Sequence, residues 1–215
     1  MIDAVVFDMD GVIVDSEQVW DDVREQLAKK RGGRWHDGAQ AAMMGMSSPE
    51  WSAYMHEEIG LSASPEEINA EVVERMLDRY RERLPLIDGA AEAVRRLAPE
   101  FRLGVASSSN RPLIEAVLER AGIADLFDAV VSSEEVARGK PAPDVYLEAL
   151  RRLDSQSDAA AAIEDSSNGI RAAHAAGMRV IALPNAHYPP APDALALADV
   201  VVASPDELTP ELVRG

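Results

Sequence analysis

Residues 4–15 read Ala4-Val5-Val6-Phe7-Asp8-Met9-Asp10-Gly11-Val12-Ile13-Val14-Asp15, and the rest of the chain is organised around them. Ala4 to Phe7 is a short, wholly apolar run with β-branched and aromatic members and a glycine close behind, which predicts a buried strand. Two carboxylates follow with one residue between them. Strand side chains alternate, so if extended geometry persists Asp8 and Asp10 leave the same face at the strand's carboxyl end. Gly11 lets the chain turn sharply after them. Two like charges this close are costly to bury unless something positive sits between them, and a divalent cation is the obvious candidate. Two plainer readings compete. A calcium loop of EF-hand type needs a third ligand before the glycine and a helix before the loop, and neither is here. A surface turn is compatible with Asp and Gly, so the choice rests on the rest of the chain.

Length and composition bound the answer. At 215 residues and 47% hydrophobic content the chain folds as one or two globular domains. It has no cysteine, which excludes disulfides, thiolate metal sites and a cysteine nucleophile. The N-terminus lacks a basic segment and Asp3 interrupts any apolar start, so no signal peptide is expected. With no run of 18 or more apolar residues, no membrane span is expected either, and a cytoplasmic location follows. The formal net charge of -17 argues against a nucleic-acid partner, whose affinity comes from Lys and Arg on phosphates. A bound metal and one placed lysine can reverse that sign locally.

From 16 to 80 the pattern is helical, broken by Gly and Ser-Pro. Ser16 is placed to cap a helix over 16–30 with Trp20, Val23 and Leu27 on one face. A second helix is expected over 38–44, ended by Gly45, and Ser48-Pro49-Glu50 opens a third. Ser64 with Glu67 forms a capping-box pattern ahead of Ile68, Val72, Met76 and Tyr80 at helical spacing. From 86 strands and helices alternate: strands over 103–106, 129–132, 159–163, 180–183 and 200–202, with helices over 88–97, 112–121, 143–153 and 166–176 between them. Residues 184–192 carry four prolines and read as a loop. The expected fold is α/β: a Rossmann-like, mostly parallel sheet in a three-layer α/β/α core (1–15 and 86–215), with a small α-helical cap domain inserted at 16–85.

In such sheets ligands bind beyond the carboxyl ends of the strands. Asp8 and Asp10 follow the first strand, Ser107, Ser108 and Asn110 the second, and Glu164 and Asp165 the fourth. Lys140 rides a stiff loop, Gly139-Lys140-Pro141-Ala142-Pro143-Asp144, between the third and fourth. Each alone has a dull explanation as a cap, turn or solvated charge; four together at one sheet edge point to phosphoryl transfer. Asp8 is the expected nucleophile and Asp10 the general acid and base. Mg²⁺ is the expected cofactor, held by Asp8, the backbone carbonyl of Asp10 and Asp165, with Glu164 directly or through water. Ser107, Ser108 and Lys140 are expected to hold the non-bridging phosphate oxygens.

These residues resemble the haloacid dehalogenase superfamily over nearly the whole chain. Asp8-Met9-Asp10-Gly11-Val12, Ser107, Gly139-Lys140-Pro141 and Glu164-Asp165-Ser166 with Asn168-Gly169 look like its four motifs, and the helical insert like its small cap. The look is nearest to the β-phosphoglucomutase-like phosphatases, through residues 10–16 and 139–144. The resemblance implies an Mg²⁺-dependent aspartyl-phosphate mechanism. Dehalogenases of the superfamily lack the second aspartate, and phosphonatases use a cap lysine, whereas Lys29 and Lys30 sit late on a helix beside Arg31. The mutases of the group carry a cap histidine and a cap arginine where this chain has Trp20 and Ser48, so hydrolysis is expected over mutation. A non-catalytic metal- or phosphate-binding member of the fold stays open. The chain is expected to act as a monomer on a small phosphorylated metabolite. Cap residues Trp20, Gly45, Met46 and Ser47 are expected at the substrate; a wall of Met and Trp without arginine suggests sugar monophosphates over bisphosphates.

Overall fold

Strand β1 (Ala4–Phe7) has no side chain that needs water, and every one of its residues is buried. A strand apolar on both faces belongs in the middle of a covered sheet, and there it lies. The computed structural model describes residues 1–44, 46–185 and 188–215. β1 is followed by four helices, α1 (Glu17–Lys30), α2 (Ala39–Met43), α3 (Ser48–Glu57) and α4 (Pro65–Glu82). Alternation then resumes with α5 (Ala90–Leu97), β2 (Arg102–Ser107), α6 (Arg111–Arg120), β3 (Ala129–Ser132), α7 (Asp144–Leu153), β4 (Ala160–Glu164), α8 (Ser167–Ala175) and β5 (Arg179–Ala182). Two short helices, α9 (Pro192–Leu195) and α10 (Pro210–Arg214), flank β6 (Val200–Val201).

The sheet order is β3-β2-β1-β4-β5-β6 and every pairing is parallel. Phe7 is in register with Val105 of β2 and Ile163 of β4, so the residues just beyond these three positions emerge side by side. Alternation along β1 feeds two cores. Val5 and Phe7 join Leu103, Val105 and Ile163 under α5 and α6, while Ala4 and Val6 join Ala106, Val131 and Ala162 under α7 and α8. That is the three-layer arrangement the alternation predicted.

The helical insert is tied to the sheet by a narrow neck. Val14 bridges Leu86 in antiparallel fashion, Asp15 N–H donates to Pro85 O at 2.8 Å, and Ile87 N–H to Ile13 O at 3.0 Å. α4 packs Ile68, Val72, Met76 and Tyr80 inward, and its start carries the capping box read from sequence: Ser64 Oγ accepts from Glu67 N–H at 3.3 Å and Glu67 accepts from Ser64 N–H at 3.0 Å. One expectation fails locally. Ser16 occupies the N-cap position of α1, but its hydroxyl makes no capping bond and turns to Asp10 instead.

These roles separate in magnitude. Met76→Ala, which empties a fully buried position, is expected to lower the unfolding free energy by about 2–5 kcal/mol. Ser64→Ala, which removes one cap, is expected to lower it by ~1 kcal/mol. Urea titration of both variants measures the difference, and equal losses would contradict this packing.

Candidate active site

Past Phe7 the backbone stays extended for one more residue, with Asp8 N–H donating to Ile163 O at 2.9 Å. It then curls so that Met9 O accepts from Ile13 N–H at 2.8 Å and Val14 N–H at 3.1 Å. Gly11 makes this curl at φ 78°, and a β-carbon there would overlap the Asp165 carboxylate. The glycine is therefore demanded twice, by backbone and by neighbour. The curl sends the two motif carboxylates into different company.

Asp8 joins a buried charge cluster. Its Oδ1 accepts from Met9 N–H at 2.7 Å and lies 3.1 Å from Lys140 Nζ. Lys140 also donates to Glu164 Oε1 at 2.6 Å, which accepts a second bond from the Tyr146 hydroxyl at 2.6 Å. The other oxygen of Glu164 accepts from the N–H groups of Asp165 and Ser166 and from Ser166 Oγ. Asp8, Glu164 and Asp165 bring oxygens within 4.8 Å of one another, against the single ammonium of Lys140. Burial disfavours every charge here. It pushes the Asp8 carboxyl up to about 8, with Lys140 opposing and Glu164 and Asp10 adding to the rise. Burial likewise holds Asp165 well above the ordinary range, and Glu164 and Asp8 raise it further. Lys140 keeps its proton: burial works against the ammonium, but Asp8 and Glu164 overcome it. Three carboxylates against one cation leave the cluster short of positive charge. An all-oxygen donor set with that deficit fits Mg²⁺.

Asp10 sits beside this cluster among uncharged donors. Its Oδ1 accepts from Ser16 Oγ and from Trp20 Nε1 at 3.3 Å, and its Oδ2 from Ser109 Oγ at 2.7 Å and, at a long 3.5 Å, from Ser107 Oγ. The Ser107 oxygen meanwhile accepts from Ser109 N–H at 3.0 Å. Above these groups opens a narrow cleft. Asp8, Asp10, Ser108, Ser109, Lys140 and Asp165 face it from the sheet edge; Glu17, Trp20, Arg24, Met43, Met44, Met46 and Trp51 face it from the helical insert.

A profile of the haloacid dehalogenase-like hydrolases matches residues 5–183. The chain belongs to that family. Hexitol phosphatase B of Escherichia coli K12 is 34% identical over 99% of this chain and 96% of its own. The chain spans about half (48%) of the bifunctional riboflavin kinase/FMN phosphatase of Arabidopsis thaliana, to which it is 30% identical. Among solved structures, CbbY from Rhodobacter sphaeroides in complex with phosphate superposes with a TM-score of 0.88 at 28% identity, covering 100% of both chains. A β-phosphoglucomutase from Clostridium difficile gives 0.86 at 25% identity, over 100% of this chain and 96% of its own.

In this hydrolase the structure brings Asp8, Asp10, Ser108, Lys140, Asp165, Trp20 and Met46 to one cleft. Glu164 stands behind Lys140. Ser107 is fully buried below the cleft floor. Ser47 is drawn away from the cleft: it caps α3, its N–H and Oγ both on Glu50 Oε2 at 2.8 and 2.6 Å. Gly45 lies outside the described residues. The premise of a wall without arginine does not hold, because Arg24 lines the cleft one helical turn after Trp20. Sequence reasoning also missed Tyr146 and Ser109. The signal for Arg24 was its i+4 spacing from Trp20; for Tyr146, only its place six residues after Lys140.

The charge deficit gives stability a pH dependence. Asp8 is raised from the ordinary 3.8 to about 8 on folding, so the folded chain holds a proton that the unfolded chain releases. The associated stability is complete below the unfolded value and is lost as pH rises through the folded one. In EDTA the Tm is therefore expected to fall between about pH 5 and pH 8.5, and Asp8→Asn to flatten the slope. Thermal melts across this window check it; a Tm rising with pH would oppose it.

Proposed function

We propose that this chain is an Mg²⁺-dependent phosphatase that hydrolyses a small phosphate monoester, a sugar phosphate or similar metabolite, through a phosphoryl group carried on Asp8. The chain is a phosphoric monoester hydrolase by family and relatives alike. The observation that carries the mechanism is the unequal treatment of the two motif carboxylates. Asp8 lies in a charge cluster short of cations, while Asp10 is held by hydroxyls and an indole beside it.

Asp8 Oδ1 is occupied by Met9 N–H and Lys140, which leaves Oδ2 a lone pair for phosphorus. As the Asp8–phosphorus bond forms, the bond to the leaving oxygen breaks and Asp10 passes that oxygen a proton. Asp10 then takes a proton from water, whose oxygen displaces Asp8 and releases inorganic phosphate. Asp8, Asp165 and the Asp10 carbonyl would hold Mg²⁺, which neutralises charge on the non-bridging oxygens. Glu164 spends both oxygens on Lys140, Tyr146 and the turn into α8, so its part is to position the Lys140 ammonium. Lys140 and Ser108 hold the phosphoryl oxygens; Ser107 lies beneath them, its Oγ accepting from Ser109 N–H and reaching Asp10 at a long 3.5 Å. The insert over 16–85 acts as a cap domain that covers the leaving group, since Trp20, Met46 and Trp51 face the sheet edge across the cleft.

Asp8→Asn is expected to reduce turnover to background with the fold intact. Asp10→Asn is expected to cost ~10²–10⁴-fold on alkyl phosphates and much less on aryl phosphates, whose leaving groups need little protonation. Steady-state kinetics on the two substrate types checks both; equal losses would remove Asp10 as the acid. EDTA is expected to abolish phosphate release, and Asp165→Ala to raise the Mg²⁺ requirement far more than Glu164→Ala. A phosphate-release screen over phosphorylated metabolites decides the substrate. Absence of aryl phosphate turnover with Mg²⁺ would favour a binding member of the fold, and hexose phosphate interconversion without phosphate release a mutase.

A further inference from the structure

The wall of the cleft that the insert supplies contains a buried cation that phosphoryl transfer does not use. Arg24 is 4% exposed. Its guanidinium carbon lies 4.4 Å from the ring centroid of Trp20 and 4.8 Å from that of Trp51, so the cation sits in the angle between two indoles. The two rings meet edge to face, with centroids 5.9 Å apart. Arg24 Nη1 donates to Gln40 Oε1 at 3.1 Å, while Nε has no hydrogen-bond partner among the described residues. Leaving such a donor unmatched in a buried wall is costly, and Arg24 is one of the residues that line the cleft.

Across Gln40 stands Glu17, whose carboxylate accepts from Gln40 Nε2 at 2.8 Å. Burial, with help from Asp10, pushes that carboxyl up to about 7; Arg24 pulls it down. Burial draws Arg24 down to about 10 against the pull of Glu17, so the guanidinium remains a cation at neutral pH. Arg24 and Glu17 are thus held apart by an amide and offer the cleft a donor and an acceptor side by side. A hydroxyl group both donates and accepts, so the pair matches neighbouring hydroxyls on a carbon chain, with the indole faces against its C–H bonds. A second phosphate would meet one guanidinium already engaged by Gln40, with Glu17 and Asp10 as like charges nearby.

We propose that Arg24, working with Glu17 across Gln40, reads hydroxyls on the leaving group, so that the substrate class is the monophosphate of a neutral, polyhydroxylated chain rather than a bisphosphate. This rests on the phosphatase reading above.

The test compares kcat/KM, with Mg²⁺, for a hexitol 6-phosphate, n-hexyl phosphate, a hexose bisphosphate and an aryl phosphate. The native enzyme is expected to favour the hexitol phosphate over hexyl phosphate by at least about 10- to 100-fold, the effect of hydrogen bonds to a charged donor. It is expected to favour it over the bisphosphate as well. Arg24→Leu is expected to shrink the hexitol-to-hexyl ratio by about the same 10- to 100-fold, with the smaller loss on hexyl phosphate. Arg24→Lys, which keeps the charge but not the planar fork, is expected to recover little of that ratio. An unchanged ratio in Arg24→Leu overturns the proposal, as does a native preference for the bisphosphate that Arg24→Leu removes. If either variant fails to fold, by circular dichroism, the native ranking alone decides. Absence of turnover on the aryl phosphate would instead overturn the underlying phosphatase reading.

Discussion

The Lys140 ammonium, buried between Asp8 and Glu164, is the contact on which the site depends. It is the cation that faces Asp8 and Glu164, with Asp165 completing a buried trio of carboxyl groups. Around it the surroundings are closely fitted. Tyr146 from α7 hydrogen-bonds Glu164 from one side, and the turn leading into α8 does so from the other. The first turn of α8 must be bare to admit that carboxylate, since a β-carbon on Gly169 would overlap it. Two strands, two helices and a proline-braced loop are therefore adjusted to one side chain of four carbons. Removing one partner of such a buried pair is strongly destabilising because it strands the other.

The parallel sheet makes this arrangement possible. Phe7, Val105 and Ile163 are in register, so the chain need only place chemistry one or two residues further on for it to converge. The helical insert solves a different problem. It supplies apolar and aromatic walls, and one hydrophobic cluster runs continuously from Phe7 and Val105 through Trp20, Met43 and Trp51 to Met76. The carboxylates and Lys140 thus come from the sheet edge and the aromatic wall from the insert.

The parts legible in the sequence were those with a strong local signature. A wholly apolar run before Asp8, glycines at turns, and Ser-Pro helix starts determine the elements; strand ends place Asp8 and Asp165, and the proline-braced loop after β3 places Lys140. The parts that were not legible depend on which way a side chain turns in three dimensions. Ser16 precedes a helix as a cap would, yet its hydroxyl has a better partner in Asp10. Ser47 sits in a loop that reads as substrate-facing, yet Glu50 claims it. Arg24 lies on the helix face with Trp20 and Leu27, where counting apolar residues alone passes over a cation. Tyr146 falls within the apolar period of α7 and shows its hydroxyl only when Glu164 is placed opposite.

The neck between insert and sheet has a mechanical consequence. Its two crossings, near Val14 and near Leu86, are laced together by backbone hydrogen bonds. Together with the hydrophobic cluster that continues from the sheet into the insert, this lacing sets the tryptophan wall opposite the carboxylate cluster in one alignment.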